Sequence, residues 1–220
     1  MNDQETRQRL LEASARLFAR RGFKDVTVRE ICRAAHANVA AINYHFHDKL
    51  GLYTAVVRMA IDEIRGTSDT AREAGQGASA EEKLRIYVRV FLQRIAENGR
   101  DSWIHQLISR EMADPTPAFD LIIKHGIRPR LEYLGGLVSE LLACPPSDPR
   151  VLQAVAGLQS QFLFCLSPAV ARVNPTFTLT RQNIDTLAEH ISEFSLGGIR
   201  ALRRHRSRPA PHVRRQRRAS

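Results

Sequence analysis

The chain has 220 residues, 43% hydrophobic and 25% charged, with 33 Lys+Arg against 23 Asp+Glu and a formal net charge of +10. That balance excludes global disorder, and the length can bury a core as one domain or as a small domain joined to a larger one. The three cysteines, Cys32, Cys144 and Cys165, are too few and scattered for a disulfide framework and form no CxxC, so a reducing compartment is expected and no zinc site.

Nearly every periodic segment has the helical period. The first helix is expected over 3–21, with Leu10, Leu11, Ala13, Leu17 and Phe18 as its apolar stripe and Gly22 as its stop. Thr27-Val28-Arg29-Glu30 is a capping box that opens a short second helix ending near Ala35. Past His36-Ala37, Asn38 caps a third short helix over 39–46, and Asp48 caps a fourth over 49–65. The Gly-, Ser- and Thr-rich stretch 66–79 reads as a loop. Helices follow near 80–98, 101–113, 117–143 (bent around Gly126 and Pro129), 148–166 and 180–204, with breaks at Asn98-Gly99, Pro115/Pro117, Pro145-Pro146 and Pro175. No run alternates long enough for a sheet. The fold class is all-α: a three-helix N-terminal unit, then a larger helical bundle for ligand binding and dimerisation, divided as 1–50, 51–203 and a disordered arginine-rich tail, 204–220.

The charge is unevenly placed. Residues 1–50 carry +3 and residues 51–199 carry −2, while residues 200–220 hold nine arginines and no acid, +9. The tail reads either as a solubilising terminus or as a non-specific phosphate contact that steepens salt dependence. The polar N-terminus offers no secretory signal, and no apolar stretch is long enough to span a bilayer, so the expected location is the cytoplasm.

Two short helices joined by a tight turn form a helix-turn-helix, in which the second helix enters a major groove about 12 Å wide. The third helix suits that task. Val39, Ala40 and Ala41 are small enough to approach base edges, Asn43 can read an edge, and Tyr44 and His45 can donate to phosphates. The amides that open the fourth helix, with Lys49, make a further phosphate anchor.

These residues resemble the TetR-type bacterial transcriptional repressors. The likeness spans Arg7 to Val57 and rests on LFARRGFKDVTVREIC and VAAINYHFHDKLGLYTAV. It implies that Thr27 and Arg29 touch the DNA backbone, that Val39, Ala40, Ala41 and Asn43 face the groove, and that Tyr44, His45 and Lys49 clamp phosphates; Asn38 is counted among the DNA-binding residues. Trp103 to Asp120 resembles the subgroup linked to cephalosporin and chloramphenicol sensitivity, the CerR-type C-terminal domain, over roughly 85–165. One departure stands at the turn, His36-Ala37 where the family commonly has Gly and an apolar residue; His tolerates positive φ less well than Gly.

Val26, Val28, Ile31, Leu17, Phe18, Ile42 and Phe46 are expected core residues of the small unit, and Cys32 a buried hydrophobe. His45 and His47, two apart on a helix, point to different sides and suggest no metal site. In the larger bundle the residues that could line a ligand cavity are Tyr87, Phe91, Trp103, Gln106, Arg110, Phe119, Tyr133 and Phe162, each of which could equally be plain core. Arg110 suits an anionic ligand or a buried acid. Leu152, Val155, Leu158, Gln159 and Phe162 share one helix face, and Leu187, Ile191, Phe194 and Gly198 another; these either close the bundle or form a two-fold contact. No enzyme motif, cofactor site or metal site is visible. The expected function is a dimeric repressor that binds a pseudo-palindromic operator in double-stranded DNA and is released by a small-molecule effector. The alternative is an architectural or non-specific nucleic-acid binder driven by the tail.

Overall fold

The computed structural model describes residues 3–98, 102–166, 168–173, 180 and 182–205. Among the described residues the regular structure is entirely helical: α1 (Asp3–Arg21), α2 (Val28–Ala34), α3 (Val39–Phe46), α4 (Lys49–Ala74), α5 (Ala80–Asn98), α6 (Trp103–Ala113), a single turn α7 (Phe119–Leu121), a π-helical stretch (Ile122–Ile127), α8 (Arg128–Leu142), α9 (Pro149–Leu166), α10 (Pro168–Val173) and α11 (Ile184–His205). The break expected at Pro175 and most of the arginine-rich tail lie outside the described residues.

The N-terminal helices start where side chains satisfy their first amides. Thr27 takes an extended conformation and accepts from the Glu30 amide, while the Glu30 carboxylate accepts from the Thr27 amide at 2.8 Å. The Asn38 side chain accepts from the Ala41 amide at 2.8 Å and the Asp48 side chain from the Gly51 amide at 2.7 Å. The turn after α2 is a Schellman motif: the Ala37 amide reaches the Cys32 carbonyl at 2.9 Å and the His36 amide that of Arg33 at 3.4 Å. Its left-handed position is His36, at φ +48°.

One expectation is corrected. The stretch 66–79 is not a loop throughout, because α4 continues to Ala74. Thr67, Ser68 and Ala71 face inward, and that burial outweighs a composition poor in helix formers. The Thr70 hydroxyl donates back to the Gly66 carbonyl at 2.8 Å, which keeps the hydroxyl inside the helical pattern. The bend expected near Gly126 and Pro129 takes the form of the π-helical stretch, which lets Pro129 enter α8 in its first turn, where no amide is required.

The apolar side chains divide between two cores. The first joins Leu10, Phe18, Val26, Ile31, Ile42 and Phe46 of the N-terminal unit to Tyr53, Val56 and Val57 of α4, Leu107 of α6, Ala118 and Ile122. Val28 and Leu17 pack on its edge, and Cys32 lies inside, where burial pushes its thiol pKa up. The second core is built from α5, α8, α9, α11 and Ala71 near the end of α4. The first core therefore crosses residue 50, and α4 contributes to both.

Candidate nucleic-acid interface

The helix-turn-helix is braced from behind. Phe18, Phe23 and Tyr53 pack together, with Phe18 and Tyr53 edge to face at 4.9 Å between centroids. Arg21, at the end of α1, reaches Glu30 on α2 at 2.6 Å. That ion pair, with the Thr27 hydrogen bonds, lowers the Glu30 pKa from 4.5 to about 2. α3 buries only Ile42 and Phe46 and turns its other side outward.

The outward side carries most of the expected contact residues. Val39 is 45% and Tyr44 73% exposed, and Ala40, Asn43 and Asn38 are exposed beside them. Thr27 and Arg29 are exposed at the start of α2. Ala41 is half-buried and packs on the first core, so it supports the helix from within. Lys49 is half-buried with Nζ 4.4 Å from the Phe23 ring centroid, and burial lowers its pKa against the pull of Asp25 and Glu30.

His45 is the correction in this set. Its side chain is only 7% exposed and its Nε2 lies 3.5 Å from Asp3 on α1, because its place on α3 turns it toward the first helix rather than outward. Arg33 and His47, not among the expected contact residues, are also exposed, on α2 and after α3. The spacing of Arg29 and Arg33, four apart on one helix face, was the available signal for Arg33.

The expected ligand-cavity residues separate into two groups. Tyr87, Phe91, Tyr133 and Phe162 do converge in the second core; Phe91 and Phe162 stack at 4.3 Å, and Tyr87 lies 5.9 Å from Tyr133. Trp103 and Phe119 instead pack on the first core, with Gln106 half-buried on α6. Arg110 does not face a cavity. Its Nε donates to the Ala19 carbonyl at 2.8 Å and its guanidinium also reaches the Arg20 carbonyl, closing the open C-terminus of α1. Lys24 and Asp114 add an ion pair at 2.8 Å across the same junction. An open groove of about 550 Å³ runs between α5 and α11, lined by Arg85, Arg89, Asp185, Glu189 and Ser192, and none of the expected cavity residues lines it.

The expected subunit face is also shifted. Val155, Leu158 and Ile191 are buried in the second core, with Leu187 and Gln159 half-buried, so these residues close the bundle. Leu152 and Phe194, each 67% exposed, point outward, joined by Leu163 and Phe164 on α9 and by Gly197 and Gly198 on α11. Leu152, Phe194 and Gly198 of the expected faces thus stay outward, while the rest of those faces turn into the bundle. Among the described residues no cluster of His, Cys, Asp and Glu could hold a metal ion, and no helix is long and apolar enough to cross a membrane.

Residues 10–56 match the model of the bacterial regulatory proteins of the TetR family, and residues 80–199 match that of the C-terminal domain of the HTH-type transcriptional dual regulator CecR, which is the correct name of the subgroup resembled above. The chain is similar to the HTH-type transcriptional dual regulator CecR of Shigella flexneri, 27% identical over 73% of this chain and 75% of that protein. It is also similar to the HTH-type transcriptional regulator AcrR of Shigella flexneri, 36% identical over 74% of this chain and 91% of that protein. In fold it matches a TetR-like transcriptional regulator from Rhodococcus sp. RHA1 with a TM-score of 0.63 and 18% identity, over 88% of this chain and 95% of that one. A TetR-family regulator from Streptomyces coelicolor matches with a TM-score of 0.60 and 22% identity, over 93% and 97%. With a capped recognition helix turned outward and both halves matched, the chain belongs to the TetR family: it is a DNA-binding transcriptional regulator with a CecR-type C-terminal domain.

Proposed function

We propose that the protein is a homodimeric, cytoplasmic repressor that binds a pseudo-palindromic operator and releases it when a small molecule enters the C-terminal bundle. The observation that carries the DNA half is the exposed face of α3, with Val39, Ala40, Asn43 and Tyr44 held between capped helix starts at Asn38 and Asp48. Val39 and Ala40 offer apolar contact to thymine methyls, Asn43 offers a bidentate edge contact, and Thr27, Arg29, Tyr44 and Lys49 surround the helix with phosphate donors. A second copy docking on Leu152, Leu163, Phe164 and Phe194 would set two recognition helices about 34–36 Å apart, the spacing of successive major grooves.

Linkage sets the switching rule: the effector must bind the released conformer more tightly by the factor by which it lowers DNA affinity. α4, shared by both cores, and α6, fastened to α1 through Arg110, are the elements through which such a shift would travel.

Binding-site selection followed by fluorescence anisotropy tests the reading. Asn43→Ala should relax preference at one base position by about 1–3 kcal/mol, whereas Lys49→Ala should weaken all sequences and reduce the salt slope by about 1. Equal loss of preference in both variants would contradict the assigned roles. Phe194→Glu with Leu163→Glu should yield monomers by light scattering and lose operator affinity; dimers that persist would remove the proposed contact. Truncation after Leu202 separates the alternative reading, because loss of all DNA binding without the tail would favour a non-specific basic protein.

A further inference from the structure

In and beside the second core lie buried polar side-chain atoms that make no close hydrogen bond among the described residues. They are the phenol oxygens of Tyr87 on α5 and Tyr133 on α8, Nε of Arg130 on α8, Nε2 of Gln159 on α9 and Nδ1 of His105 on α6. Backbone geometry does not scatter them. The Tyr87 ring lies 5.9 Å from that of Tyr133 and 6.2 Å from that of Phe162. The guanidinium carbon of Arg130 lies 6.0 Å from the Phe91 ring centroid, and its charge acts on both Tyr87 and His105. Among the described residues Arg130 has neither a hydrogen bond nor a carboxylate partner.

Buried polar groups are normally paired; here the Tyr87 phenol and the Gln159 side chain face only each other and Tyr133 and Arg130 face no partner, which marks a site built for something else. Its chemistry is one-sided. A guanidinium, two phenols and an amide nitrogen all donate, and no acidic side chain is paired with them. Burial and the nearby Arg130 depress the His105 pKa, so its imidazole enters as a neutral group. Arg72, over the Tyr133 ring, is already paired with Asp69 at 3.2 Å, so Arg130 is the cation left without a carboxylate. One cation favours one negative charge, since a doubly charged phosphate would leave charge uncompensated in a desolvated place. The guanidinium fork fits the two oxygens of a carboxylate. Beside it Phe91 and Phe162 stack at 4.3 Å and offer only apolar surface.

Resting on the effector reading above, we infer that this constellation is the effector site and that it takes a small hydrophobic monocarboxylate. The carboxylate lies on Arg130 and accepts from Tyr87, Tyr133 and Gln159, and the apolar body inserts at Phe91 and Phe162. Phe91 on α5 and Phe162 on α9 stack on each other, so an apolar body inserts by parting α5 from α9. The movement reaches α4 through Arg72, whose guanidinium carbon sits 4.7 Å over the Tyr133 ring, and α6 through His105.

The full-length protein has a single tryptophan, Trp103, two residues from His105, which reports binding by fluorescence. Cinnamate and decanoate are titrated against their neutral amides, cinnamamide and decanamide. The acids should bind at least about tenfold more tightly than the amides, and Arg130→Gln should abolish that preference. Tyr87→Phe should weaken the acids severalfold. If Arg130→Gln does not fold, Arg130→Lys serves: it should keep the preference at reduced affinity, and unchanged affinity would overturn the assignment. Equal binding of acids and amides, or no binding of either acid, would overturn it as well. Anisotropy with a selected DNA fragment distinguishes the two readings. Acids that bind preferentially without altering DNA affinity leave the site standing and remove the effector role. Amides that release DNA as well as the acids do so remove the carboxylate assignment and leave the effector role.

Discussion

The hydroxyl of Tyr53 on α4 donates to the carboxylate of Glu111 on α6, and both side chains are almost wholly buried, at 1% exposure each. The same carboxylate accepts from the Thr116 amide at 3.1 Å. Burial first, and then the carboxylate, hold the Tyr53 pKa well above its ordinary value, so the phenol keeps its proton and stays a donor. Tyr53→Phe removes a donor from a buried acid while preserving the ring that packs on Phe18. It should cost about 1.5–3 kcal/mol in urea denaturation, the range for a hydrogen bond to a charged group. A loss below about 0.5 kcal/mol would show that the carboxylate finds a replacement donor.

Gly51 sits where α4 turns back on α3. A Cβ added there would lie 1.9 Å from the Phe46 carbonyl oxygen, a separation only backbone movement could relieve. Gly51→Ala should therefore displace the start of α4 from the end of α3, lower stability by more than about 2 kcal/mol and disturb the Lys49 anchor. Thermal denaturation and DNA titration of the same variant check both effects.

Glu30 gives the N-terminal unit an acid dependence of known sign. Its pKa falls from 4.5 to about 2 on folding, through Arg21 and then Thr27. The stabilisation is complete above pH 4.5 and is lost as pH falls from there toward 2, as the folded carboxylate takes up its proton. Glu30→Gln should be less stable than the parent at neutral pH and should flatten the stability curve across that window. Parallel curves for the two proteins would contradict the assignment.

His36 occupies the left-handed position of the Schellman turn at φ +48°, a conformation where a side chain costs free energy and glycine does not. His36→Gly in the full-length protein should raise stability by about 0.5 kcal/mol, the relief of strain exceeding the added entropy of the unfolded chain. A lower melting temperature would mean that the imidazole makes a stabilising contact.

Local signals were legible where one short segment decides the outcome. Thr27 with Glu30, Asn38 and Asp48 marked three helix starts, and the positive φ at His36 followed from the missing glycine. What could not be read depends on partners distant in the chain. Residues 66–74 stay helical because Thr67, Ser68 and Ala71 are buried. Val155 and Leu152 both look suited to a subunit face, but only the packing of α9 on its neighbours decides that Val155 turns in and Leu152 out. Arg110 has the composition of a ligand anchor, and only the arrival of the end of α1 beside it makes it a helix cap. His45 follows the same rule, since only the packing of α3 beside α1 turns it inward, with Asp3 3.5 Å away.

The first core does not end with the helix-turn-helix. Leu107, Ala118 and Ile122 complete it from the far side of the chain, and Arg110 ties its rim to α1 and Asp114 to Lys24 in the turn after it. The DNA reader is thus not a detachable cartridge. A hybrid that grafts residues 1–50 onto another regulator's body would leave part of its own hydrophobic floor behind. Exchange of operator specificity between relatives should succeed by transplanting the outward residues of α3 alone, or by moving α6 and the segment after it together with the reader.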